Sequence, residues 1–147
     1  MQPYSGSKSA YQKTDITTAP DPLRLVVLLY EGILRHIGRA ILSVENKNIE
    51  ARVNHINRAL AMIAELQATL NHEKGGEIAA NLDRLYTYWR RRLVEANVNS
   101  DAAPLEEIKH LVTELWSAWD QAASRNASKE TESPLPSQGS STTTFRV

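Results

Sequence analysis

Four stretches between residues 21 and 123 repeat apolar residues at intervals of three and four, and this periodicity constrains the fold more than any other feature. Such spacing places the apolar side chains on one face of an α-helix. No stretch alternates apolar and polar residues with β-branched enrichment, as a half-buried strand would. The sequence therefore predicts an all-α fold.

Start and stop signals bound the first two predicted helices. Asp21 is a predicted N-cap with Pro22 in the first helical position, and the helix is expected to end at Asn46-Lys47-Asn48. The second helix is predicted from about Ile49 to Leu70. We expect Lys74-Gly75-Gly76 to stop it, because glycine readily adopts the left-handed conformation that closes a helix.

Two further helices follow. The apolar stripe of the third runs from Ile78 to Ala96, and the fourth begins after an Asp101 cap with Pro104 in its first turn. The connections are short, which favours antiparallel packing of neighbouring helices. We therefore predict an antiparallel up-down four-helix bundle over residues 21–123, one domain.

The two ends of the chain lack such a stripe. Residues 1–20 are polar and carry Tyr4, Tyr11 and an isolated Ile16, so we expect a flexible N-terminal arm. Residues 124–147 are rich in Ser, Thr and Pro. Such a segment cannot bury enough apolar surface to offset its ordering entropy, which predicts a disordered tail.

The composition excludes several functional classes. Seventeen basic and seventeen acidic residues give a net charge of +0, unlike the strongly basic face of a nucleic-acid-binding protein. The lack of cysteine excludes disulfides and thiol nucleophiles and fits a reducing cytosol. No window approaches the ~18 consecutive apolar residues of a membrane span, and the N-terminus lacks the apolar stretch of a signal peptide. We expect a cytoplasmic protein that uses no cofactor.

Candidate catalytic groups are few. Glu107 and His110 have the Glu-x-x-His spacing of di-iron bundles, but only one such pair occurs, so we interpret both as solvated side chains and predict no metal site. His36, between Arg35 and Arg39, resembles the reactive histidine of a histidine phosphotransfer bundle. We keep that function as the alternative, together with a purely structural role in an assembly. No catalytic residues are predicted.

The chain has more apolar helix residues than a closed bundle needs, which is about three positions in seven. Such a surplus indicates exposed apolar grooves, which in soluble proteins tend to be binding sites. The candidate binding residues among these are Leu25, Leu28, Leu29, Met62, Leu66 and Tyr88.

Several segments resemble the flagellar secretion chaperone family FliS. They are Tyr11-Gln12, Thr18-Ala19-Pro20 and LRLVVLLYEGIL near the N-terminus, then EKGGEIAANLDRLYTYWRRRLVEAN from Glu73 to Asn97 and LEEIKHLVTELWSAW from Leu105 to Trp119. The central block is the most specific, because it is a long and nearly gap-free string with a double glycine. The resemblance covers roughly residues 11–120.

The resemblance implies an ATP-independent export chaperone in the cytosol. Such a protein would bind the disordered C-terminal segment of flagellin, prevent premature filament assembly and deliver the subunit to the export gate protein FlhA. In some bacteria the family also meets the flagellin regulator FliW. Tyr11 matches a tyrosine-bearing arm of the family, so we hypothesise that it covers an apolar groove near Leu25 and Leu28 until the client displaces it.

Overall fold

A computed structural model of the chain describes the backbone of residues 21–132 and the side chains of residues 21–128. The predicted arm, including Tyr11, and residues 133–147 of the predicted tail lie outside the described residues. The described chain forms helices α1 (Pro22–Glu45), α2 (Ile49–Thr69), α3 (His72–Asn99) and α4 (Ala103–Glu132), and it contains no strand. The all-α prediction is confirmed.

Side-chain caps begin the helices where the sequence predicts them. The Asp21 carboxylate accepts a hydrogen bond of 2.8 Å from the backbone N–H of Arg24, with Pro22 in the first turn. Asp101 likewise accepts from the backbone N–H of Ala103 at the start of α4. Each bond satisfies a backbone donor that has no partner inside its helix, which fixes the residue at which the helix begins.

The double glycine does not end α2, contrary to the sequence prediction. Helix α2 ends at Thr69, and α3 begins at His72 with Asn71 as its N-cap. Gly76 then breaks α3 after its first turn, at φ 50° and ψ −122°. A side chain strongly disfavours that conformation, so glycine is required here to join the first turn to the rest of α3.

The helices form a closed ring of antiparallel neighbours. Helix α1 packs against α2 and α4, and α3 packs against the same two helices. The diagonal pairs, α1 with α3 and α2 with α4, make no close backbone contact within the described residues. The connections are two or three residues long, as the helix bounds show. This is the predicted up-down four-helix bundle.

Buried aromatic rings fill the centre of the bundle. Tyr30 of α1 lies edge-on to Trp89 of α3, with ring centroids 5.8 Å apart, and Tyr86 lies 5.1 Å from Trp89. All three side chains are almost fully buried. Because these rings span the diagonal, they hold α1 and α3 together through side chains alone.

Two predicted boundaries of the core differ from the structure. Ile78 belongs to the predicted inward stripe of the third helix, yet its side chain is 70% exposed. Helix α4 continues to Glu132, so residues 124–132, which the sequence assigns to the disordered tail, are helical. Asn126 approaches Asp21 at 3.4 Å from this extension. No helix of the described chain is long and apolar enough to cross a membrane.

Candidate functional site

Two leucines on α1 face outward from the bundle. Leu25 is 46% exposed and Leu28 is 44% exposed, although Val27 between them is fully buried. Their exposure follows from the helical period, because α1 directs Val27 and Tyr30 into the core and these leucines to the opposite side. Both are among the candidate binding residues named from the sequence. They form an apolar ridge that we call the α1 ridge.

Leu29 and Met62 are partly buried against the core, and Met62 of α2 lies against Gly32 of α1 in the seam between the two helices. Gly32 leaves room for Met62, whose Sδ lies 2.7 Å from the point that a Cβ at position 32 would occupy. Both predicted binding residues therefore help to close the bundle. Only their outer edges remain available to a partner.

Leu66 is 1% exposed, so it is a core residue. The surplus of apolar helix residues in the sequence had predicted it at the surface. It nevertheless contributes to the wall of an apolar cavity of about 260 Å³ at one end of the bundle. The start of α1, the end of α2 and the first turns of α3 surround this cavity, through Pro22, Leu70 and Ile78 among others. Because Pro22 lines it, the cavity lies close to the point where residues 1–20 join α1.

Tyr88 lies in the seam between α3 and α4, on the side of the ring of helices opposite to the α1–α2 seam. Its hydroxyl donates to the carboxylate of Glu107, and the guanidinium of Arg91 lies 5.2 Å from its ring centroid. The bond to Glu107 raises the pKa of the Tyr88 phenol. Tyr88 is therefore part of an inter-helix contact and does not share a groove with Leu25.

Polar side chains tie α1 to α4 on either side of Leu28. Arg24, one turn before it, lies 3.8 Å from the Asp120 carboxylate, and Glu31, one turn after it, accepts a 3.0 Å bond from the indole N–H of Trp116. These contacts leave the leucine itself uncovered. A partner can reach the α1 ridge without opening the bundle.

His36 forms a pair with His55 across the α1–α2 seam. The Nδ1 atoms of the two rings lie 3.0 Å apart, which is hydrogen-bond distance. Burial, the neighbouring His55 ring and the positive charges of nearby arginines lower the pKa of His36. The Nδ1 atom is thus engaged within the bundle, and the ring is only partly exposed.

Glu107 and His110, which have the Glu-x-x-His spacing of di-iron bundles, contact different partners. Glu107 accepts hydrogen bonds from Tyr88 and Arg92, whereas His110 lies 3.1 Å from Glu114. Their ligand atoms are thus already engaged separately. Among the described residues, no group of three or more metal-ligating side chains comes together.

Sequence reasoning missed the cavity at the end of the bundle. Its lining residues, such as Leu23, Val26 and Leu82, have the helical spacing of ordinary core residues. The double glycine was the available signal, because the chain breaks at Gly76 and the cavity is lined by Gly75 and Ile78 on either side of that break. The predicted binding residues therefore divide among the α1 ridge, the α1–α2 seam, this cavity and the α3–α4 seam.

Comparisons with known proteins give one family. The family model described as "Flagellar protein FliS" matches residues 4–126. The flagellar secretion chaperone FliSB of Pseudomonas aeruginosa is 39% identical over 113 residues, which cover 75% of this chain and 90% of that protein.

Relatives from distant bacteria agree. The flagellar secretion chaperone FliS of Salmonella typhimurium is 35% identical over 134 residues, 88% of this chain and 98% of that protein. FliS of Bacillus subtilis is 37% identical over 114 residues, 78% of this chain and 84% of that protein. The match spans nearly the whole bundle and most of each relative, and it favours the chaperone interpretation over the phosphotransfer alternative at His36. The chain belongs to the FliS family of flagellar secretion chaperones.

Proposed function

We propose that this protein binds the disordered C-terminal segment of flagellin, prevents its premature assembly and delivers it to the flagellar export apparatus. The α1 ridge is the observation that carries the proposal. Leu25 and Leu28 expose nearly half of their surface on a helix whose other leucines and valines are mostly packed. An amphipathic client segment can bury these side chains by folding against the bundle.

The cavity beside Pro22 supports the same function. It is lined almost entirely by apolar side chains and opens at the surface, so it can accept an apolar anchor from the client. Leu66 would then contribute to client binding from the cavity wall. Met62 and Leu29 would contribute at the edge of the seam.

Residues 1–20 are the proposed competitor for this surface. The arm joins α1 at Asp21, within one turn of Leu25, and Tyr11 supplies an amphipathic ring that costs little entropy to fix. A docked arm would shield the α1 ridge from self-association. It would weaken the apparent affinity for the client by the fraction of time that it is docked.

Delivery of flagellin to the export apparatus requires that the chaperone releases its client as well as binds it. Ordering a disordered client typically costs ~2–5 kcal/mol of the gross interaction energy, which favours moderate affinity and release at the gate. FlhA is the proposed receiving protein, and FliW is a proposed further partner. The protein would act by binding alone, with neither a catalytic step nor a cofactor.

A peptide titration tests the proposal. The C-terminal segment of flagellin is titrated by calorimetry against wild type, Leu28→Asp and Arg84→Asp. We expect Leu28→Asp to weaken binding at least about tenfold, because the change removes apolar contact and places a charge in the interface. Arg84→Asp changes an exposed residue of α3 and should bind as wild type does.

Circular dichroism separates loss of binding from loss of folding. Leu28→Asp should keep the helical signal, whereas Val27→Asp should unfold the bundle, since Val27 is fully buried and an unpaired charge there is very costly. A folded Leu28→Asp variant that binds the peptide as tightly as wild type would exclude the α1 ridge as the client site.

Deletion of residues 2–14 should tighten peptide binding, because it removes the proposed competitor. An unchanged affinity would exclude competition by the arm.

A further inference from the structure

A cluster of five basic side chains lies on the outer side of the α1–α2 seam. We call it the α1–α2 basic cluster; it consists of Arg35, His36, Arg39, His55 and Arg58. The two imidazoles are in contact, and the three guanidiniums act on His36 through their positive charge. The three arginines are exposed to solvent.

The positive charge of this cluster is not balanced within the described part of the chain. Elsewhere on the bundle, arginines find carboxylates: Arg92 lies 2.7 Å from Glu107, and Arg24 approaches Asp120. None of the three cluster arginines has an ion pair with a described residue. Even Glu31, one turn before Arg35, bonds to Trp116 instead.

Such an arrangement costs stability in the isolated protein. Arg35 and Arg39 are four residues apart on one helix face, and like charges at that spacing repel each other. Arg58 adds a third positive charge from α2, and its one side-chain bond is a long contact of 3.4 Å to Asn54. An external anion would relieve this repulsion.

The surroundings of the cluster define the chemistry of its partner. Positions 28, 35, 39 and 42 fall on one face of α1, and Leu28 and Leu42 are both exposed there, Leu42 by 57%. The face is thus basic in the middle and apolar at both ends. An amphipathic protein segment with carboxylates between two apolar residues complements it.

We propose that the α1–α2 basic cluster is a docking site for an acidic amphipathic segment of a partner protein. Nucleic acid fits less well, because the chain has a net charge of +0 and the cluster spans only about one helical turn on α1. The site does not depend on whether flagellin is the client. Besides the apolar contact proposed for the α1 ridge, this site makes ionic contacts with carboxylates of the partner.

The histidine pair couples docking to protons. In this hydrogen bond one ring donates from Nδ1 and the other accepts at Nδ1. The donor ring can take up one further proton at its outer Nε2 and keep the bond. The bond is lost if both Nδ1 atoms carry a proton. The charged groups facing the pair are Arg35 and Arg39 from α1 and Arg58 from α2. They oppose uptake of that further proton until carboxylates arrive, so binding takes up a proton and strengthens as the pH falls from about 8 to about 6.

The probe is a blocked, alanine-based helical peptide that repeats the spacing of positions 28, 35, 39 and 42, with leucines at its ends and glutamates between. Its twin carries glutamine in place of glutamate. Binding to the full chain is followed by NMR of the arginine Nε–H and histidine signals. We expect the glutamate peptide to bind and the twin to bind at least roughly fivefold more weakly, since each exposed charge pair contributes a modest amount.

Variants locate the site. The double variant Arg35→Gln/Arg39→Gln should lose the preference for glutamate, whereas Arg84→Gln/Arg91→Gln, which removes two exposed arginines from one face of α3, should keep it. His36→Gln, which removes the histidine pair but keeps His55, should bind with an affinity that depends less on pH between about 6 and 8 than that of wild type. Circular dichroism confirms that each variant is folded.

Four results would overturn the proposal: equal binding of the two peptides, an equal loss in the α3 control, a wild-type affinity that is the same at both pH values, or tighter binding of an oligothymidine through the same arginines. The last result would assign the cluster to nucleic acid. Leu28 belongs to both surfaces, so the arginines, which the flagellin proposal does not use, separate the two proposals. Leu28→Asp tests flagellin binding and Arg35→Gln/Arg39→Gln tests the preference for glutamate, so failure of either proposal leaves the other standing.

Discussion

The hydroxyls of Tyr30 and Tyr86 lie 2.8 Å apart in the centre of the bundle, where each is the other's hydrogen-bond partner. Tyr30 belongs to α1 and Tyr86 to α3, two helices on a diagonal of the bundle that make no close backbone contact in the described chain. Burial raises the pKa of both phenols, so both stay protonated in the folded protein at neutral pH. This bond fixes the distance across the diagonal.

Removing one hydroxyl of this pair should lower the free energy of unfolding by more than half of what removing both hydroxyls costs. Tyr30→Phe or Tyr86→Phe leaves a buried hydroxyl without its partner, and each should lower the free energy of unfolding by about 1–3 kcal/mol. The double variant should lose clearly less than the sum, because no unpaired hydroxyl remains. Urea unfolding followed by circular dichroism measures the cycle; strictly additive losses would mean that the two hydroxyls are not coupled.

Two glycines should respond to alanine in opposite directions. Gly76→Ala should lower the free energy of unfolding by about 1–3 kcal/mol, because its positive φ strains a side chain. Gly38→Ala should raise it by about 0.5–1 kcal/mol, because that glycine is helical with open space around its Cβ position. Thermal unfolding compares both with wild type. A neutral Gly76→Ala would show that the break in α3 is not required.

Glu107 should contribute to stability above acidic pH. Hydrogen bonds from Tyr88 and Arg92 lower the pKa of Glu107, so the unfolded chain binds a proton more readily than the folded protein does. The contribution is therefore present above the unfolded-state pKa, about 4.3, and is lost as the pH falls through the lower folded-state value. Glu107→Gln should flatten this acid-side loss in thermal melts, and the exposed Glu65→Gln should not. Identical acid limbs for wild type and Glu107→Gln would contradict the assignment.

Truncation after Ala123 tests how much the extension of α4 contributes. The truncation removes residues whose described side chains are exposed except for half-buried Asn126, which lies 3.4 Å from Asp21, so we expect the free energy of unfolding to fall by less than about 1 kcal/mol. Truncation after Ser117 also removes Trp119, which packs against the core, and should cost several times more. A large loss of unfolding free energy on truncation after Ala123 would show that residues 124–132 are a packed part of the bundle.

Local signals explain why the helices could be predicted from the sequence. Asp21 with Arg24 and Asp101 with Ala103 are contacts between near neighbours in sequence, and each begins its helix as predicted. The double glycine was assigned to the wrong helix for the same reason. A local pattern shows that glycine interrupts a helix, but packing decides whether the break ends α2 or lies inside α3.

The sequence by itself determined four amphipathic helices, their order and the membership of the chain in its family, because those properties depend on spacing and on matching residues. The tertiary structure decided how far each helix rotates about its own axis. That rotation buried Leu66, exposed Ile78 and left Leu25 on the surface. It also brought His36 and His55 together from different helices, since only packing determines which faces meet.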